Sequence, residues 1–132
     1  MALDDNDAAA QQRVLVVDDD AAVGQAVRLA LRPRQVTFAQ SAVGALARIA
    51  AGGKFDAIVC DLHMPGMTGM QFEDEVRKIS PEAADRIVFI TGAAATKEAT
   101  DFLARTKNPC LEKPFEREVL RAAVSAAARR QR

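Results

Sequence analysis

Apolar residues fall along this chain in two rhythms: short unbroken runs alternate with stretches in which apolar positions return every three or four residues. Such runs suit strands buried on both faces of a parallel sheet, and the longer period suits amphipathic helices. Val14 to Val17 is the first run, and it stops at Asp18, Asp19 and Asp20. From Ala21 the spacing of Val23, Val27, Ala30 and Leu31 predicts a helix that Asp20 caps and Pro33 closes. Val36 to Ala39 is a brief second strand, and Ser41 suits the N-cap of a helix with Val43, Leu46, Ala47 and Ala50 on one face, ended by Gly52 and Gly53.

The third run, Ala57 to Cys60, delivers Asp61 into a Pro/Gly-rich loop; a helix with Phe72, Val76 and Ile79 on its buried side follows, and stops near Ser80 and Pro81. Arg86 to Ile90 is a fourth strand ending at Thr91 and Gly92, and Ala99, Phe102 and Leu103 mark a fourth helix. Pro109 to Glu112 is a fifth strand ending at Lys113 and Pro114, and Leu120, Ala123, Val124 and Ala127 line one face of a last helix with a basic end. Five strands alternating with five helices predict a single-domain α/β protein with one parallel sheet, and the right-handed crossover rule puts helices on both faces. Residues 1–12 are short of large apolar side chains and carry Asp4, Asp5 and Asp7, so they read as a disordered leader to a domain over residues 13–130.

Composition narrows the function classes. Lys plus Arg and Asp plus Glu both number 18 in the 132 residues, so net charge gives no broad pull toward nucleic acid or a membrane. No apolar run approaches the roughly 20 residues of a membrane span. The N-terminus has no basic region followed by an apolar core, so a cytoplasmic location is expected. Cys60 and Cys110 fall in strands, without the spacing of a zinc site, and read as small buried hydrophobes.

The chemistry gathers at the strand ends. Four of the five strands end at a residue able to handle a phosphoryl group: Asp18 and Asp19, Asp61, Thr91, and Lys113. Clustered carboxylates repel one another unless a cation neutralises them, and their hard oxygens suit Mg²⁺. A carboxylate can attack phosphorus and hold it as an acyl phosphate, while a hydroxyl and an ammonium neutralise the equatorial oxygens.

The motifs LVVDDD, IVCDLHMPGMTG, IVFITGA and LEKPF stand in order, with 30 residues from Asp61 to Thr91 and 22 from Thr91 to Lys113. From Arg13 to the last helix, the chain resembles a response-regulator receiver domain, the phospho-acceptor module of two-component phosphorelay signalling. The resemblance implies a flavodoxin-like fold with strand order 2-1-3-4-5, which sets Asp19 and Asp61 side by side. It makes Asp61 the phosphorylated residue, Asp19 a direct Mg²⁺ ligand, Asp18 a contact through metal-bound water, and the backbone carbonyl of His63 a further ligand. Thr91 would bind the phosphoryl group, Lys113 would pair with it, and the Lys113–Pro114 peptide would be cis. The implied donor is a histidine kinase or histidine phosphotransfer protein. With no effector domain after the last helix, output is expected through protein contact or onward phosphotransfer, without direct nucleic-acid binding. The NPCLEKPF segment also resembles receivers at the ends of hybrid histidine kinases.

Several residues carry a plainer reading. Gly66 and Gly69 are turn residues, and the His63 ring either touches the phosphoryl group or faces solvent, of which the second is adopted here. Ala93 cannot hold a hydrolytic water by hydrogen bonding. Cys110 stands three residues before Lys113, where receivers that switch through an aromatic ring carry Tyr or Phe. Two rivals come from other classes: a Mg²⁺-dependent phosphohydrolase and a pseudo-receiver. The hydrolase would place a second Asp where His63 stands, and the pseudo-receiver would have lost the acceptor or the lysine.

Overall fold

The computed structural model of the protein describes residues 5–92 and 96–130. Five parallel strands form one sheet: β1 (Arg13–Val17), β2 (Gln35–Ala39), β3 (Ala57–Asp61), β4 (Ile87–Thr91) and β5 (Cys110–Glu112), in the order β2-β1-β3-β4-β5. The order agrees with the one implied above. Three registers, Val17 with Cys60, Asp61 with Ile90 and Thr91 with Glu112, hold the carboxyl ends of the last four strands level.

Alternation along the strands divides the core in two. Val14, Val16, Val59, Val88 and Ile90 pack under α2 (Ala21–Ala30) and α7 (Arg117–Arg129), through Val27, Leu120, Val124 and Ala127. Leu15, Val17, Ile58, Cys60, Ile87 and Phe89 face the other way, toward α3 (Ala42–Ala50), α4 (Gly69–Ile79) and α6 (Lys97–Arg105). Phe102 fastens α6 there by an edge-on contact to Phe89, with ring centroids 5.1 Å apart. Each such buried aromatic contributes about 1.5–3 kcal/mol.

Seven helices are present among the described residues, two more than the five expected. The first addition is α1 (Asp5–Ala10), so the reading of a disordered leader does not hold over those residues, and residues 1–4 lie outside the described residues. Alanine favours helix and lets the turn lie close to the body: Ala9 is buried, and Gln35 N donates to the Gln12 carbonyl at 3.0 Å. The second is α5 (Pro81–Asp85), where Ser80 caps the Ala83 amide and Pro81 takes the first helical position. A single turn is too short to show a period.

Three apolar faces also differ from expectation. α3 buries Ala42, Ala45 and Ile49, with Leu46 partly covered, while Val43, Ala47 and Ala50 are exposed. Ile79 and Leu103, expected in the core, lie exposed at helix margins. The Lys113–Pro114 peptide is cis. Residues 93–95 lie outside the described residues, and with them the reading of Ala93.

Candidate functional site

Asp61 is the last residue of the central strand β3, and the chain leaving it is tightly held. Leu62 N donates to the Ile90 carbonyl at 2.9 Å, and Gly69 N returns to the Leu62 carbonyl at 3.0 Å. Thr68 caps α4 in a reciprocal box with Gln71, so the loop runs straight into a helix start. Gly66 has φ +82°, the conformation of a turn glycine. Gly69 serves a different purpose from the turn expected of it. It begins α4, and a Cβ there would lie 2.5 Å from the Asp61 carbonyl oxygen and 2.9 Å from the Leu62 Cα. Only a missing side chain allows α4 to start so close to Asp61.

Around Asp61 the neighbouring strands deliver their own ends. Asp18 and Asp19 follow β1, and together with Asp61 they bring carboxylate oxygens within 4.8 Å of one another. Lys113, just beyond β5, donates from Nζ to Asp18 Oδ2 at 3.4 Å and lies 3.5 Å from Asp61 Oδ2. Its backbone amide is held by the Thr91 carbonyl at 2.7 Å. Asp61 Oδ1 accepts from the His63 amide at 3.1 Å, and Asp18 Oδ1 from the Asp20 amide at 2.9 Å. Asp18 is fully buried, and that desolvation holds its pKa above the usual carboxylate value; the Asp20 amide pulls it back, Asp61 raises it and Lys113 lowers it.

The six residues singled out in the sequence therefore separate into three groups. Asp18, Asp19, Asp61 and Lys113 meet in one cluster. Thr91 is buried at the adjoining strand end, with its hydroxyl turned to the Gly92 carbonyl at 3.1 Å. His63 reaches Asp61 through its backbone, but the solvent-facing ring adopted above is not what is found. Its Nε2 is buried and has no hydrogen-bond partner among the described residues.

A hard divalent cation fits this donor set. Three carboxylates converge, two of them buried, and the Lys113 ammonium offsets only part of the total. Asp18, Asp19, Asp61 and the His63 carbonyl are the groups that would hold Mg²⁺.

The cysteines stay outside this chemistry. Cys60 is buried and donates from Sγ to the Asp61 carbonyl at 3.3 Å. Burial, followed by the Glu112 charge, pushes the Cys110 thiol up to about 11, which suits an inert group. Both register with Phe89 from opposite sides, two strand spacings apart at about 4.8 Å each, beyond disulfide reach.

A family model described as the response regulator receiver domain matches residues 14–125. Response regulator MprA of Mycobacterium sp. (strain KMS) is 34% identical over 120 residues, covering 89% of this chain and 51% of that protein. The uncharacterized transcriptional regulatory protein YrkP of Bacillus subtilis (strain 168) is 30% identical over 118 residues, covering 89% and 50%. The chain thus spans about half the length of the curated relatives it matches. Among solved structures, chemotaxis protein CheY4 of Vibrio cholerae is 30% identical at a TM-score of 0.75, covering 89% of this chain and 98% of that one.

Proposed function

The chain belongs to the response regulator receiver domain family of two-component signalling, and from that premise we propose that Asp61 accepts a phosphoryl group from phosphohistidine. The donor is a histidine kinase or a histidine phosphotransfer protein, and residues 13–130 act as the receiver unit. In the transfer an Asp61 carboxylate oxygen forms the new P–O bond, the P–N bond breaks, and the imidazole leaves. Held by Asp18, Asp19, Asp61 and the His63 carbonyl, Mg²⁺ would supply positive charge to the phosphoryl oxygens.

The observation that carries this reading is the placement of Lys113, 3.4 Å from Asp18 and 3.5 Å from Asp61. A single ammonium that bridges the acceptor and a metal-site carboxylate can follow the charge onto a phosphoryl group without crossing the site. Thr91 can turn toward the phosphoryl group by side-chain rotation, because among the described residues its hydroxyl donates to the Gly92 carbonyl alone, at 3.1 Å. The protein is read as a switch rather than a turnover enzyme, with a cytoplasmic location. Among the described residues no helix is long and apolar enough to cross a membrane. Its output is protein contact or onward phosphotransfer, either alone or as the receiver of a hybrid histidine kinase. The pseudo-receiver reading would need a lost acceptor or lysine, and both are in place.

Intact mass after incubation with Mg²⁺ and acetyl phosphate tests the assignment. Wild type is expected to gain one base-labile phosphoryl group, and Asp61→Ala none. Absence of an adduct with acetyl phosphate and also with a phosphohistidine donor would reject phospho-acceptance and favour the pseudo-receiver.

A further inference from the structure

Arg34 sits at the other edge of the sheet, immediately before β2, and it is buried to 8% exposure. Its Nε donates to Gln12 Oε1 at 2.9 Å, Nη2 to Ser125 Oγ at 2.8 Å and Nη1 to the Leu31 carbonyl at 3.3 Å. All three acceptors are neutral, and no carboxylate pairs with this guanidinium among the described residues. Burial, followed by the nearby Arg121 charge, pulls the Arg34 pKa below its ordinary value.

Beside Arg34 a pocket of about 350 Å³ opens, a volume suited to a small molecule. Arg121 and Arg129 of α7 share its wall with Gln12, Ser125 and Glu118. Arg121 donates Nη1 to the carbonyls of Ala30, at 2.9 Å, and Arg32, at 2.6 Å. Among the described residues Glu118 is the one carboxylate on the wall, and its side chain is 76% exposed and pairs with Arg117 at 3.6 Å. A purely structural clamp accounts for the three hydrogen bonds of Arg34. Arg121 likewise has a structural task in holding the Ala30 and Arg32 carbonyls, but its charge raises the cost of the buried guanidinium, and neither task places Arg129 on the same cavity wall.

We propose that this pocket binds a small soluble phosphate compound, with Arg34 as its buried cation and Arg121 and Arg129 as its outer ones. Guanidinium forks match phosphate oxygens two at a time, and three of them suit a ligand carrying two or more negative charges. The occupant would tie α7 to the start of β2. The site is distinct from Asp61: it lies at the amino ends of the strands, about 16 Å from the carboxyl ends at 3.3 Å per residue.

Pyrophosphate titration of the full chain, followed by amide chemical shifts at low salt with EDTA present, tests the proposal. Saturable shifts are expected at Gln12, Arg34, Ser125 and Arg129, unchanged in Asp61→Ala. Affinity should fall roughly tenfold in Arg121→Gln and in the exposed Arg129→Gln, each of which removes one charged contact. Arg34→Lys, which keeps the charge but not the fork, should weaken binding while the spectrum stays folded. Shifts centred on Asp18 and Lys113, equal affinity in both α7 variants, or no saturation by about 10 mM would overturn it. So would capture on phosphatidylglycerol vesicles without any response to pyrophosphate.

Discussion

At Asp18 burial and charge are set against each other. Its carboxyl is fully buried, and the Asp20 amide at 2.9 Å and Lys113 at 3.4 Å are not enough to bring its pKa down to the ordinary value. A carboxylate whose pKa is higher in the folded than in the unfolded chain costs stability wherever it is ionised. That cost is present above the folded pKa and disappears as pH falls through it. Without Mg²⁺, Asp18→Asn should therefore melt at a higher temperature than wild type at pH 7, and the two should converge as the pH is lowered toward 4. Melting curves in EDTA decide it, and a variant less stable than wild type at pH 7 contradicts the argument. Gly69 is sensitive for a steric reason. The added methyl of Gly69→Ala would press on the Asp61 carbonyl at 2.5 Å, where backbone and not a flexible side chain must yield. About 1–3 kcal/mol of stability should be lost in urea titration, together with most of the phosphoryl uptake proposed for Asp61. A variant that is destabilised but takes up phosphate at the wild-type rate would show that the helix start does not position the acceptor.

The helices show where reading from the chain succeeds and where it stops. In α7 the expected face, Leu120, Ala123, Val124 and Ala127, is the one that meets the sheet, and of the large apolar residues only Val119 falls outside it. α3 has no such asymmetry. In AVGALARIA small apolar residues occur on nearly every side, so more than one stripe satisfies the helical period. The choice falls to tertiary geometry: Ser41 fixes the start by accepting from the Gly44 amide at 3.0 Å, and the crossover from β2 to β3 turns Ala42, Ala45 and Ile49 inward. Val43, one of the two large residues of the expected face, is left 64% exposed. Val43→Lys should consequently change unfolding free energy by no more than about 0.5 kcal/mol. Ala45→Leu, which overfills a site with no exposure, should cost about 1–3 kcal/mol. The reverse ranking in paired urea titrations would restore the face read from the sequence. β1, β3 and β4 were legible because each carries an unbroken run of four apolar residues, whereas α1 and α5 escaped because six and five residues show no period.

On the scale of the whole molecule, function depends on a sheet order that the runs alone do not contain. Alternating strands and helices require a parallel sheet, but placing β1 beside β3 came from the resemblance, and the pairing of Val17 with Cys60 bears it out. That pairing brings Asp18 and Asp19 to Asp61, and the β4 to β5 pairing brings Lys113 alongside. The site's residues were visible as strand ends, but the burial of His63 Nε2 and the close approach at Gly69 were not, since both depend on packing across the loop. Collecting three carboxylates at one edge destabilises the empty domain and favours a bound cation for the same reason. A ligand at a hundred times its dissociation constant stabilises by about 2.7 kcal/mol, or roughly 8 °C in a domain of this size. Wild type should show a rise of that order on saturation with Mg²⁺, reversed by EDTA, while Asp18→Asn and Asp61→Asn show much less. Asp18→Asn begins above wild type in the absence of the ion and gains less from it. The melting temperatures of the two should therefore cross as Mg²⁺ is raised. Parallel curves would mean that Asp18 does not contribute to the cation site; a variant below wild type throughout would mean that the Lys113 pair outweighs the burial of Asp18.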